Sequence, residues 1–263
     1  MHVLVTLTFA LYFLAAILLW RQIVRSHTTR WLLWITPFAA VVTHFTLLWS
    51  YLRTDQFHHL NIASSLSSVA LLLAALTILR NRRSDGLLLS PIIYLFAGVS
   101  VIVMVVSPAG WGPQLSEASG LIIHIILSLV AYAVLMLATL YAIQLLYLNH
   151  ALKNHRIRAI AGNMPPLMVV ERYFFRLLTT GTVLLAVAIL SGFIFLDDMF
   201  AQGQAHKTIL SSAAFVLYAV VLYMHQLKHM RGRPLVLASV VASVLLSLAY
   251  FGSRFVKDVL LAL

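Results

Sequence analysis

Apolar residues along this chain gather into eight long blocks, separated by charged or Pro/Gly-rich breaks. The blocks run roughly over 3 to 20, 31 to 52, 60 to 79, 87 to 106, 120 to 148, 177 to 196, 208 to 227 and 235 to 253. Each is close to the roughly 20 residues that an α-helix needs to cross a bilayer core. The pattern predicts an all-α integral membrane protein with eight transmembrane helices. The longest connection, "NHALKNHRIRAIAGNMPPLMVVERYFFR", is too short to fold alone, so residues 1 to 263 are expected to form a single polytopic membrane domain. Within it, Pro165–Pro166 suggests a turn, and "LMVVERYFFRLL" reads as a short amphipathic lead-in to the sixth span.

Composition agrees with the pattern. Hydrophobic residues make up 62% of the chain and charged residues 10%, and the mean hydropathy is +0.98. A water-soluble domain of this length has no polar surface to cover so much apolar material. There are no cysteines, which excludes disulfides and thiolate metal sites, so ligand chemistry falls to His, Met, Tyr or carboxylates.

The formal net charge of +11 invites a nucleic-acid reading until its placement is traced. Fourteen of the 18 basic residues follow the first, third, fifth and seventh blocks, among them Arg21, Arg25, Arg80, Arg82, Arg156, Arg172, Lys228 and Arg231. Asp55, Glu117, Asp197, Asp198 and Asp258 fall on the opposite side. The positive-inside rule then makes the basic side cytoplasmic and puts both termini on the outer side of the membrane. The basic charge is a topology signal and not a DNA-binding patch. "MHVLVTLTFALYFLAAILLW" has no basic n-region and no small-residue cleavage site, so it reads as an uncleaved first helix.

Ionisable side chains inside spans are costly, which makes them candidates for function. By these boundaries His44, His124 and His225 are the histidines inside blocks. His124 falls about 6 Å below the outer surface, and His44 about 20 Å from the inner edge of a 30 Å core, at similar depths. His225 falls near the cytoplasmic end. A neutral imidazole is a ligand for haem iron, and two helices can supply both axial positions. Zinc binding, a proton relay, or a hydrogen bond to a neighbouring helix carbonyl would equally employ a histidine there. Spacing leaves these alternatives open. The helix beginning at His124 carries Ser128, Ala131, Tyr132 and Leu135 on one stripe, which suits either a flat macrocycle or a close helix.

Three stretches carry a resemblance. "HIILSLVAYAVLMLATLYAIQLLYL" begins with a histidine and contains a Ser-x-x-x-Tyr pair. "MPPLMVVERYFFRLLTTGTVLLAVAILSGFIF" holds Pro165, Pro166, Leu167, Glu171, Arg172, Gly181 and Gly192. "MHQLKHMRGRPLVLASVVASVLLSLAYFGSRF" holds His225, Arg231, Gly232, Arg233, Tyr250, Phe251 and Gly252. Together with "HHLNIASSLS" they resemble the CcsA/ResC/CcmC group of cytochrome c assembly proteins over almost the whole chain. The resemblance implies a haem-binding or haem-handling protein of a bacterial inner membrane, whose outer side is the periplasm. His124 would take the place of an outer haem ligand, and His225 that of the transmembrane histidine that helps carry haem across. A ligand role for His44 rests on the depth argument. Arg254, beside Arg53 and Lys207, would receive haem propionates. The cofactor implied is haem b, and the partners are haem, the lipid bilayer and another membrane protein of haem or cytochrome maturation.

The chain also departs from that pattern. Where the group has a tryptophan-rich outer loop, the sequence reads "FLDDMFAQGQAHKTILSS", without tryptophan. No second outer histidine follows the last span, so the chain is expected to lack the full haem-delivery apparatus. His2, His58, His59 and His206 fall on the outer side. No Ser/His/Asp order, phosphate loop or paired intramembrane carboxylate points to an enzyme. The alternatives are a haem-free accessory or scaffold subunit of another membrane protein, or a component of a small-solute or ion transporter.

Overall fold

A computed structural model describes residues 2–25, 31–54, 61–81, 88–107, 119–153, 166–195 and 205–252. They form eight α-helices: α1 His2–Arg25, α2 Leu32–Thr54, α3 Ile62–Asn81, α4 Ser90–Val106, α5 Ser119–Lys153, α6 Leu167–Phe195, α7 Ala205–Gln226 and α8 Arg233–Ser247. The last continues as a π-helical turn, Leu248–Gly252. No strand occurs among the described residues. Seven of these helices are long and apolar enough to cross a membrane, counting α8 with its π turn, and α4 is a shorter apolar helix of 17 residues. At 1.5 Å per residue α4 is about 26 Å long, close to the hydrocarbon thickness.

The expected boundaries hold within three residues, except that α1 and α5 each run five residues further, to Arg25 and Lys153, and that α6 starts earlier. Its helix begins at Leu167, directly after Pro166, and runs 29 residues without a break. The lead-in and the span are one helix because nothing after Pro166 interrupts it. Val170, Phe174 and Leu178 are buried on the same stripe that continues through Gly181, Thr182, Leu185, Ala188 and Ser191. Pro166 sits outside the first turn, where its missing N–H costs nothing and its carbonyl accepts from Val169 at 2.9 Å. Pro91 and Pro234 occupy the first turns of α4 and α8 for the same reason.

The helices group into two compact units, α1 to α4 with the end of α5 and the first residues of α6, and the remainder of α5 and α6 with α7 and α8. In the first, Ala15, Ala40, Ala70, Ala74 and Ala97 are fully buried, and these small side chains allow close helix approach. Phe13, Trp20, Phe38 and Phe45 point outward, as lipid-facing residues do.

One end of this unit is closed by a polar chain. Asn61 caps α3, its Oδ1 accepting the Ser64 N–H at 2.7 Å. Its Nδ2 donates to the Tyr51 hydroxyl at 2.9 Å, and that hydroxyl donates to the Ser107 carbonyl at the end of α4 at 3.1 Å. One side chain thus ties three helix ends. Asn61→Ala is expected to cost about 1–2 kcal/mol by loss of the cap, read as a lower unfolding midpoint in detergent. Asn61→Asp keeps the acceptor and should recover part of that loss.

In the second unit, α5 and α6 approach at Gly181, where a Cβ would lie 2.7 Å from the Leu135 side chain. The π turn of α8 brings Tyr250 and Phe251 onto Tyr132 of α5, with ring centroids 5.4 Å apart in both pairs.

Candidate functional site

His124 lies in the second turn of α5, half-buried against α6. Its Nδ1 is 2.9 Å from the Ala188 carbonyl and 3.0 Å from Ser191 Oγ. A carbonyl only accepts, so Nδ1 carries the proton and Nε2 keeps the lone pair. Ser191 reinforces the arrangement by donating its own hydroxyl to the same carbonyl at 2.8 Å. Among the described residues none hydrogen-bonds Nε2. A histidine whose Nδ1–H is held by a backbone carbonyl, with Nε2 uncommitted, has the tautomer and fixed ring orientation of a metal-ligating imidazole. The bond to Ala188 is also the helix-carbonyl bond that a structural histidine would make, so the chemistry rests on Nε2. Along the same α5 stripe, Tyr132 turns to a different helix, donating to Ser247 Oγ of α8 at 2.9 Å. Ser247 gives its own proton to the Ser243 carbonyl, which fixes the direction of that bond.

His44 is in the first unit and has a different setting. It is fully buried, with Nδ1 2.9 Å from the Tyr12 hydroxyl and Nε2 2.7 Å from Ser67 Oγ. Whichever tautomer is present, one nitrogen donates and the other accepts, so neither is left for iron. Tyr12 also packs edge-on to the imidazole at 5.6 Å and stacks on Tyr94 at 6.1 Å. Sequence reasoning placed His44 at depth but missed Tyr12 and Ser67. The signal lay in the run Ser64, Ser65, Ser67, Ser68, an unusual density of hydroxyls for a membrane span.

His225 ends α7. Its ring lies flat on Phe175 of α6, with centroids 3.4 Å apart and planes 1° from parallel. Nδ1 donates to the Met230 carbonyl at 3.2 Å, which closes the turn toward α8. That turn contains His229 at φ 51 and Gly232 at φ 113; glycine suits the second position, where a side chain would be strained. His225 is therefore a turn-fixing residue. His206 is exposed in the first turn of α7, and Lys207 beside it is half-buried. Arg53 ends α2 in an exposed position. Arg254, His58 and His59 lie outside the described residues. Among the described residues no three His, Asp or Glu side chains come together, so they build no zinc site of the usual kind.

Long apolar helices tied to one another by buried His, Tyr, Ser and Asn side chains define a multi-pass membrane protein. The chain belongs to the Cytochrome C assembly protein family, which matches residues 31–261. It is 35% identical over 206 residues to Inner membrane protein YpjD of Escherichia coli strain K12, a match that covers 78% of each chain. It is 32% identical over 141 residues to the Uncharacterized 28.8 kDa protein in nifR3-like 5'region of Azospirillum brasilense, over 53% of this chain and 52% of that one. No solved structure matches the chain. Family, relatives and spans together make this a multi-pass protein of the bacterial inner membrane.

Proposed function

We propose that this protein binds and handles haem b in the second unit, with His124 as a ligand to its iron and no chemical turnover of a substrate. The observation that carries the reading is the held Nδ1 and uncommitted Nε2 of His124. Haem, when bound, would supply an iron that a neutral imidazole can ligate. Every other part is this chain's own: Ala188 and Ser191 set the tautomer, and α5 and α6 fix the ring plane. His225, on its Phe175 platform, is the second candidate contact. His44 drops out of the ligand set because both its nitrogens are engaged. Placing both termini outside, as the charge distribution suggests, puts His124 near the periplasmic face and His225 near the cytoplasmic one. A partner membrane protein of cytochrome maturation would be the recipient or donor.

The test is an oxidised-minus-reduced visible spectrum of detergent-purified protein from haem-replete cells. Paired α and β bands are expected in the wild type and in Asn61→Asp. His124→Ala should lose them, with binding weakened beyond the roughly 10- to 100-fold typical of outer-shell changes at metal sites. A featureless wild-type spectrum, unchanged after added haem, overturns the proposal. The haem-free accessory-subunit reading would then lead, with His124 joining His44 as a histidine that serves packing alone.

A further inference from the structure

Residues 227 to 232 join α7 to α8, and both flanking helices are long and apolar enough to cross a membrane, α7 as Ala205–Gln226 and α8 with its π turn as Arg233–Gly252. So short a connection between two spans lies at the membrane surface, at the level of the lipid headgroups. The chain fixes its shape: His225 Nδ1 donates to the Met230 carbonyl at 3.2 Å, and the Met230 N–H donates to the Met224 carbonyl at 3.0 Å. Five cations are exposed around this turn. Lys228, Arg231 and Arg233 belong to the turn and the start of α8, and Arg172 and Arg176 belong to α6. The stacked rings of Phe175 and His225 bring α6 to the same level. Arg172 and Arg176 stand three residues before and one residue after that contact, within about 5 Å along the helix axis. Glu171 is the one carboxylate among the described residues 166 to 181 and 221 to 234. Two apolar side chains are exposed among the cations, Leu227 at 67% and Met230 at 48%. The positive-inside rule counts charges at the ends of spans and is indifferent to their neighbours, so it does not account for this mixture.

We propose that the α7–α8 turn and the neighbouring arginines of α6 bind the headgroup of an anionic phospholipid. The guanidinium groups hold its phosphate, and Leu227 and Met230 enter between the acyl chains. Arginine suits the first task because its planar fork matches two phosphate oxygens at once. An exposed apolar side chain beside a cation suits the second, since one part sits in the hydrocarbon boundary while the charge stays at the headgroups. A soluble anion, such as a nucleic acid or an acidic protein, would draw on the cations but gain nothing from burying Leu227 and Met230 in lipid. The depth of the turn also favours the lipid, because headgroups already surround it. The site is independent of haem and of which side of the membrane this end of the bundle faces.

Native mass spectrometry of the full chain in mixed micelles tests this, with phosphatidylglycerol and phosphatidylcholine offered in equal amounts. The wild type is expected to retain phosphatidylglycerol in preference. Arg231→Gln with Arg233→Gln should weaken that retention by about fivefold for each cation removed, roughly 25-fold together. Arg21→Gln with Lys153→Gln removes the same charge from exposed positions elsewhere and should leave it unchanged. Leu227→Ser with Met230→Ser should weaken it with no change of charge. Glycerol phosphate, which has the headgroup charge without acyl chains, should not displace the lipid. Every substituted position is exposed, so the unfolding midpoint in phosphatidylcholine should stay at the wild-type value. Equal retention of the two lipids by the wild type overturns the proposal. So do equal losses in the two charge-removing variants, which would leave the cations a topology signal only, and so does displacement by glycerol phosphate.

Discussion

His44→Ala should lower stability more than any other single truncation in the first unit, by about 3–5 kcal/mol, summing a large-to-small cavity with the lost polar partners. The imidazole is fully buried, as are the Tyr12 and Ser67 side chains that flank it. Truncation opens a void between α1, α2 and α3, and leaves the Tyr12 and Ser67 hydroxyls facing it without the imidazole. In membrane proteins the hydrogen bonds themselves contribute modestly, on average about 0.6 kcal/mol each, so the void and the stranded hydroxyls dominate. The asymmetry gives a sharp check. The triple variant Tyr12→Phe, His44→Leu, Ser67→Ala removes all the polar groups at near-constant volume and should recover most of the loss. Denaturation in mixed micelles measures both. A loss below about 1 kcal/mol for His44→Ala would mean that water enters and replaces the imidazole. Where His44→Ala still folds, its haem spectrum should match the wild type, in contrast to His124→Ala.

Gly181→Leu carries the second large effect. A Cβ at this position would lie 2.7 Å from Leu135 Cγ and Cδ2, and 3.3 Å from the Leu135 backbone nitrogen. Leu135 is itself buried at 1% exposure, so its side chain has nowhere to swing. Overpacking of this kind costs about 1–3 kcal/mol, sometimes more. Gly181→Ala should be milder, because the gain of about 1 kcal/mol in helix propensity offsets part of the clash. The damage should also reach the candidate ligand site. Ala188 is seven residues further along α6, about two turns away, so forcing α5 from α6 at Gly181 stretches the bond that holds His124. Combining Gly181→Leu with Leu135→Ala exchanges a large and a small residue across the contact. The pair should be more stable than the sum of the singles predicts. Additive losses would show that the two helices do not meet there.

The spans were readable because membrane thickness is a ruler that any apolar helix must match. α8 with its π turn ends at Gly252, one residue from the sequence boundary, and α7 begins at Ala205, three residues from it. The start of α6 is not legible in the apolar pattern, because its first turns are basic and amphipathic where the rest of the helix is apolar. Helix continuity depends on the absence of breakers, and none stands between Leu167 and Phe195. The depth of His44 could be counted along α2, but its partners could not. Tyr12 and Ser67 are 32 and 23 residues away on other helices, and no local pattern announces which faces meet. The same holds for Ser191, 67 residues from His124. The family resemblance pointed to His124 without revealing what holds its ring.

The π turn at Leu248–Gly252 has a consequence for how this last helix evolves. A π turn holds an extra residue in the winding, so everything beyond Ser247 is out of phase with the helix before it. Tyr250 and Phe251 meet Tyr132 by virtue of that offset and not only by their identity. A one-residue deletion here would rewind the segment to a plain α-helix and aim the same two rings elsewhere. The C-terminal end of the bundle can therefore be retuned by length alone, as a lock can be rekeyed by turning the barrel while every pin keeps its shape.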